Sequence, residues 1–102
     1  MTKTPDSDTV RLTATVSGYV QGVGFRFSTR AVALAHQLVG MAENRPDDTV
    51  LVVAEGPRAD CEALLDWLQG DRQDAMRRPG RVDFVDARFS PAEGGFKTFS
   101  GQ

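Results

Sequence analysis

The chain has 102 residues, 40% of them hydrophobic and 25% charged, a size and balance that suit one domain burying roughly two thirds of its unfolded surface. A formal net charge of −2 and a sequence pI near 5.2 provide no broad basic field, which argues against sequence-independent binding to nucleic acid. A single cysteine, Cys61, and a single histidine, His36, exclude an internal disulfide and a zinc cluster; no metal or cofactor is expected, and the lone thiol suits a reducing, cytoplasmic setting.

Residues 1–8 are polar and read as a flexible tail ahead of one domain over 9–102. They contain no apolar core of a signal peptide, and no apolar run approaches bilayer length, so no membrane partner is expected. From Val10 to Val16 the segment VRLTATV alternates apolar and polar residues, the period of a strand with one buried face. The stretch GYVQGVGFRFS from Gly18 to Ser28 then stands where that strand gives way to a helix. In the helix, Phe27, Ala31, Leu34 and Leu38 recur at helical spacing and predict an apolar stripe.

Val39 to Asn44 and Thr49 to Glu55 have strand character and flank Arg45, Pro46, Asp47 and Asp48, a turn composition, so a hairpin is predicted. Gly56 and Pro57 mark a second helix, with Pro57 expected at its first position and Cys61, Leu64, Leu65 and Leu68 on one face, ending near Gly70. Asp71 to Gly80 reads as a loop. RVDFVDARF alternates imperfectly, as an edge or bulged strand does, and GGFKTFSG closes the chain as a short strand. The predicted order, βαββαβ with a terminal strand, is α+β: a ferredoxin-like split βαβ sandwich with two helices on one face of an antiparallel sheet. That fold hosts many activities, so function has to be read from a site.

The best site in the sequence is the glycine stretch. Gly18, Gly22 and Gly24 allow backbone conformations that side chains forbid, which lets successive N–H groups turn inward around an anion. The following helix adds the positive end of its dipole, and Arg26 on the first turn adds a planar, permanently charged fork that contacts two oxygens at once. The expected ligand is a phosphate or carboxylate. His36, near the end of the first helix, reads as structural, Cys61 as a small core residue, and Arg77, Arg78 and Arg81 as a solvated basic run.

The residues GYVQGVGFR, the strand ending in Asn44, VLVVAEGP, PGRVDFV and the closing GFKTF together resemble the acylphosphatase family, from about Val10 to Gly101. The resemblance implies an enzyme that hydrolyses the carboxyl–phosphate bond of small acyl phosphates to a carboxylate and inorganic phosphate, without metal or cofactor. It places the phosphate on the loop Gln21, Gly22, Val23, Gly24, Phe25 and Arg26, with Gln21 contributing its N–H, makes Arg26 the phosphate-binding arginine, and gives Asn44 the attacking water. Two departures stand out. Glu43 replaces a basic residue, although strand alternation directs it away from Asn44, and Asp48 stands where the family has glycine, a position aspartate tolerates in left-handed conformation. A non-enzymatic phosphate-binding module that has lost turnover is the alternative. A monomer is expected.

Overall fold

The alternation read in the first strand puts Leu12, Ala14 and Val16 fully into the core of β1 (Thr9–Tyr19), with Thr13 and Thr15 on the other face. This is the first element of the computed structural model, which describes residues 8–70 and 78–101. Apart from Asp8, the expected tail lies outside those residues, as does most of the loop expected over 71–80.

The chain continues through α1 (Phe25–Ala35), β2 (Val39–Asn44), β3 (Val50–Pro57), α2 (Arg58–Gln69), β4 (Arg81–Pro91) and β5 (Phe99–Ser100). The sheet order is β4-β1-β3-β2-β5. The four long strands pair antiparallel, with Leu12 opposite Ala54 and Phe89, and Ala42 opposite Val52. The fifth strand departs from the expected all-antiparallel sheet. It runs parallel to β2, with Phe99 beside Gly40, because the segment after β4 crosses the full width of the sheet before pairing at the far edge. Both helices cover one face, α2 over β1, β3 and β4, and α1 over β2 and β5. Among the described residues no helix is long and apolar enough to cross a membrane.

β4 is the edge strand foreseen, and the β1–β4 register shifts between Ser17 and Gly18. Gly18, with φ 134°, sits so close to the Arg81 carbonyl that any side chain would collide with it. Pro57 is one residue earlier in the helix than expected: with φ −57° and ψ 140° it caps α2 from the end of β3. Gly70 closes that helix in left-handed conformation, and the Nη1 of Arg78 donates to the Leu68 carbonyl at 2.7 Å, satisfying an acceptor that the helix end leaves open. One member of the basic run is therefore a helix cap. Arg81 pairs with Asp83 at the surface, and Arg77 lies outside the described residues.

The predicted stripe of the first helix is on the wrong face. Phe27 and Leu34 are exposed and Ala31 is half-buried; Leu38 is buried as expected, but past the helix end. The buried face is Phe25, Ser28, Thr29, Val32 and Ala33. Apolar spacing defines stripes but not which one faces the sheet; here Phe25 anchors the rotation by stacking on Trp67, ring centroids 6.0 Å apart. Burying Thr29 costs little because its hydroxyl donates to the Phe25 carbonyl at 2.8 Å. The predicted face of α2 fits better, with Cys61, Leu64 and Leu68 buried and Leu65 partly so. Burial pushes the Cys61 thiol up to about 11, which leaves it protonated at neutral pH and unsuited to nucleophilic work. His36 caps α1 and its Nδ1 lies 2.9 Å from Oδ1 of Asp60 in α2, a structural tie between the two helices.

Candidate active site

At the end of β1 the chain leaves the sheet at Val20, which is buried, and turns through Gln21 to Gly24 into α1. Gly22 and Gly24 have φ of 77° and 83° with nothing within contact of where a Cβ would stand. Glycine is needed there for its dihedral freedom, not for space. Gly24 caps α1 without a side-chain hydrogen bond, and no acidic residue occupies the first turn. The N–H groups of Phe25, Arg26 and Phe27 therefore have no partner within the helix and present the positive end of its dipole outward.

These residues enclose a recess of about 200 Å³ lined by Val20, Gly22, Gly24, Phe25, Arg26 and Phe27. Arg26 is half-buried, and its side chain has no hydrogen-bond or ion-pair partner among the described residues. An uncommitted guanidinium beside an uncapped helix N-terminus is suited in charge to an anion. Of the loop residues singled out in the sequence, Gly22, Gly24, Phe25 and Arg26 line the recess. Phe25 turns its ring into the core, and Val23 packs against the core from outside.

Gln21 does more than the expected backbone contact. Its Nε2 donates to the carbonyls of Arg45 at 3.0 Å and Thr49 at 2.9 Å, the two residues that flank the β2–β3 turn. Inside that turn the Arg45 N–H donates to the Thr49 carbonyl at 2.8 Å, and Asp48 adopts φ 72°, the left-handed conformation anticipated for the residue in glycine's place. Asp47 accepts from the Thr49 hydroxyl at 2.6 Å and from its N–H at 3.1 Å; the hydroxyl bond above all holds its carboxyl below the usual carboxylate range. The loop and the hairpin are thus one clamped unit.

Asn44 ends β2 inside this unit, on the same face as Gly40 and Ala42, while Glu43 faces the other way opposite Leu51 and is exposed. The side-chain oxygen Oδ1 of Asn44 is buried and has no hydrogen-bond partner. Asn44 does not itself line the recess, although β2, two residues before it, comes close to the first turn of α1. A side-chain carbon at Gly101 would lie 3.3 Å from the Ala42 Cβ and 3.4 Å from the Arg26 carbonyl. Among the described residues no group of three His, Cys, Asp or Glu side chains could hold a metal ion.

The sequence profile of the Acylphosphatase family matches residues 12–100. The chain belongs to the acylphosphatase family. Acylphosphatases of Streptomyces coelicolor and Acidothermus cellulolyticus are similar to it at 50% identity over 92% of the chain and 97% of the relative, and at 53% over 89% and 85%. The solved structure of an acylphosphatase from Coxiella burnetii superimposes with a TM-score of 0.80 at 28% identity, covering 97% of this chain and 98% of that one. The ferredoxin-like fold expected from the order of elements is therefore that of the acylphosphatases.

Sequence reasoning missed two features of the site, the Gln21 side-chain clamp and the exposure of Phe27 at the recess, and, away from the site, the Arg11–Glu55 network on the open sheet face. In that network Arg11 Nε donates to Glu55 Oε2 at 2.6 Å, and the N–H groups of Glu93 and Gly94 donate to the same carboxylate at 2.9 and 3.0 Å. The only signal was a cross-strand charge pair, Arg11 opposite Glu55 in register, and register is not readable from one strand alone.

Proposed function

We propose that the recess holds the phosphoryl group of an acyl phosphate, with Arg26 and the backbone N–H groups of the loop on its oxygens, and that Asn44 holds the attacking water. The chain is an acylphosphatase: it hydrolyses the carboxyl–phosphate bond of small acyl phosphates. In the reaction R–CO–O–PO₃²⁻ + H₂O → R–COO⁻ + H₂PO₄⁻, the water oxygen bonds to phosphorus, the bond to the bridging oxygen breaks, and both water hydrogens finish on the phosphate. The carboxylate is a good leaving group, so catalysis needs mainly positioning and stabilisation of charge on the equatorial oxygens.

The observation that carries the assignment of Asn44 is its buried, unpartnered Oδ1. An amide oxygen only accepts hydrogen bonds, and leaving it orphaned costs about 1–3 kcal/mol. A water donating one O–H to it has its lone pair directed elsewhere, as attack on phosphorus requires. Arg26 suits the other role because its fork stays charged at every working pH. The glycine-to-aspartate change at Asp48 does not count against turnover, since the residue takes the left-handed φ the turn requires. We further propose that residues 9–102 act as one catalytic domain, as a monomer in the cytoplasm; the free thiol of Cys61 supports the reducing compartment.

Hydrolysis of benzoyl phosphate in the presence of chelator, followed for the intact protein and for Asn44→Ala and Arg26→Ala, tests the roles. Asn44→Ala is expected to lower kcat by about 10²–10³-fold with inhibition by inorganic phosphate retained. Arg26→Ala should lose phosphate inhibition and turnover together. Phosphate binding lost in Asn44→Ala with kcat kept would refute the water-holding role.

A further inference from the structure

A second recess, about 390 Å³, is lined by Phe27, Arg30, Thr98, Phe99, Ser100 and Gly101. It adjoins the phosphate recess through Phe27, which lines both. Phe27 is 62% exposed, so its ring does no work in the core, and an aromatic face left in water at a recess is available to a ligand. Arg30 stands three residues further along α1, on the same side of the helix. Its Nε donates to the Phe99 carbonyl at 3.1 Å, which fixes the guanidinium against β5. Its two Nη groups have no hydrogen bond or ion pair among the described residues, and among those residues no carboxylate side chain lines the recess. An apolar ring next to the phosphate and an uncommitted cation beyond it describe a ligand in the same order: phosphoryl group, carbon chain, second anion.

We propose that this recess is the acyl subsite, and that it favours acyl phosphates whose acyl part ends in a second anionic group such as a carboxylate. Phe27 covers the carbon chain and Arg30 holds the distal anion. The assignment rests on the first recess holding the phosphoryl group.

The test compares acetyl phosphate with succinyl phosphate, the same reacting bond without and with a distal carboxylate, for the intact protein, Arg30→Gln and Arg30→Lys. In Arg30→Gln the ratio of kcat/KM for succinyl over acetyl phosphate is expected to fall about tenfold, through KM for succinyl phosphate. Arg30→Lys keeps the charge but loses the Nε bond to β5, and should retain most of the ratio. An unchanged ratio in Arg30→Gln overturns the proposal. So does an equal fall in Arg30→Lys, because the contact with β5 would then be the operative feature. Calorimetric binding of the two methylene analogues, with CH₂ in place of the bridging oxygen, separates the subsite from the reaction. Tighter binding of the carboxylated analogue to the intact protein, lost in Arg30→Gln, supports the subsite even if neither phosphate were hydrolysed, an outcome that would instead refute the catalytic reading. Equal binding of both analogues overturns the subsite with hydrolysis intact.

Discussion

Gln21 ties together two pieces of chain that local sequence treats as unrelated, the glycine loop and the β2–β3 turn. Its amide bonds the two carbonyls that bracket the turn, so the loop cannot drift without moving the hairpin that ends β2 at Asn44. Each of these hydrogen bonds is worth roughly 0.5–1.5 kcal/mol net. Gln21→Ala is therefore expected to lower stability by about 1–2 kcal/mol and to depress kcat for benzoyl phosphate more than it raises KM, because the water and phosphorus lose their mutual alignment. Chemical denaturation alongside steady-state kinetics checks both effects; a stability loss with unaltered kcat would reduce Gln21 to a structural clamp. At this scale the glycines and Arg26 stood out by their chemistry, since dihedral freedom and permanent charge belong to the residue itself, whereas Asn44 was singled out by the resemblance to the family. The Gln21 clamp was not legible, because it is made across 24 residues.

Among the elements, the segment between β4 and β5 depends on a single buried carboxylate. Glu55, on the sheet face away from the helices, takes N–H bonds from Glu93 and Gly94 and the Arg11 guanidinium, and Arg11 in turn lies over the Phe96 ring, 5.5 Å to its centre. Burial would push the Glu55 carboxyl up, but the Glu93 N–H, the Arg11 guanidinium and the Gly94 N–H outweigh it and hold it below the ordinary glutamate range. A carboxyl depressed in the folded state contributes stability that is fully present above its unfolded pKa, about 4.3, and is lost as pH falls through the lower folded value. Denaturation midpoints should thus drop in the intact protein between pH 5 and pH 3. Glu55→Gln should be about 2–3 kcal/mol less stable at neutral pH and should lose part of that acid dependence. An identical pH profile in the variant would mean that other carboxylates carry the acid response. Strand existence and order were readable from period and turn residues, whereas the stripe of α1 was misread, since Phe25 docking on Trp67 sets the rotation.

For the whole molecule, a ligand that binds only the folded state stabilises it by mass action. Inorganic phosphate at about 100 times its Kd contributes about 2.7 kcal/mol, which in a domain of this size raises Tm by roughly 10 °C or more. Scanning calorimetry at fixed pH with rising phosphate should record that increase for the intact protein and little of it for Arg26→Ala. An equal rise in both would assign the effect to general exclusion of phosphate from the protein surface and remove the support for Arg26 as the phosphate contact.

What the sequence by itself determined about this chain was whatever is encoded within a few residues: strand alternation in β1, the glycine loop leading into a helix, the left-handed tolerance of Asp48 and the end of α2 at Gly70. Only the tertiary structure decided which face of α1 is buried, that β5 joins β2 in parallel, that Arg78 caps α2 from beyond its end, and that Phe27 stands in water between two recesses. Those outcomes depend on which distant segments meet, and a side chain at one position is read correctly only once the partner it reaches is known.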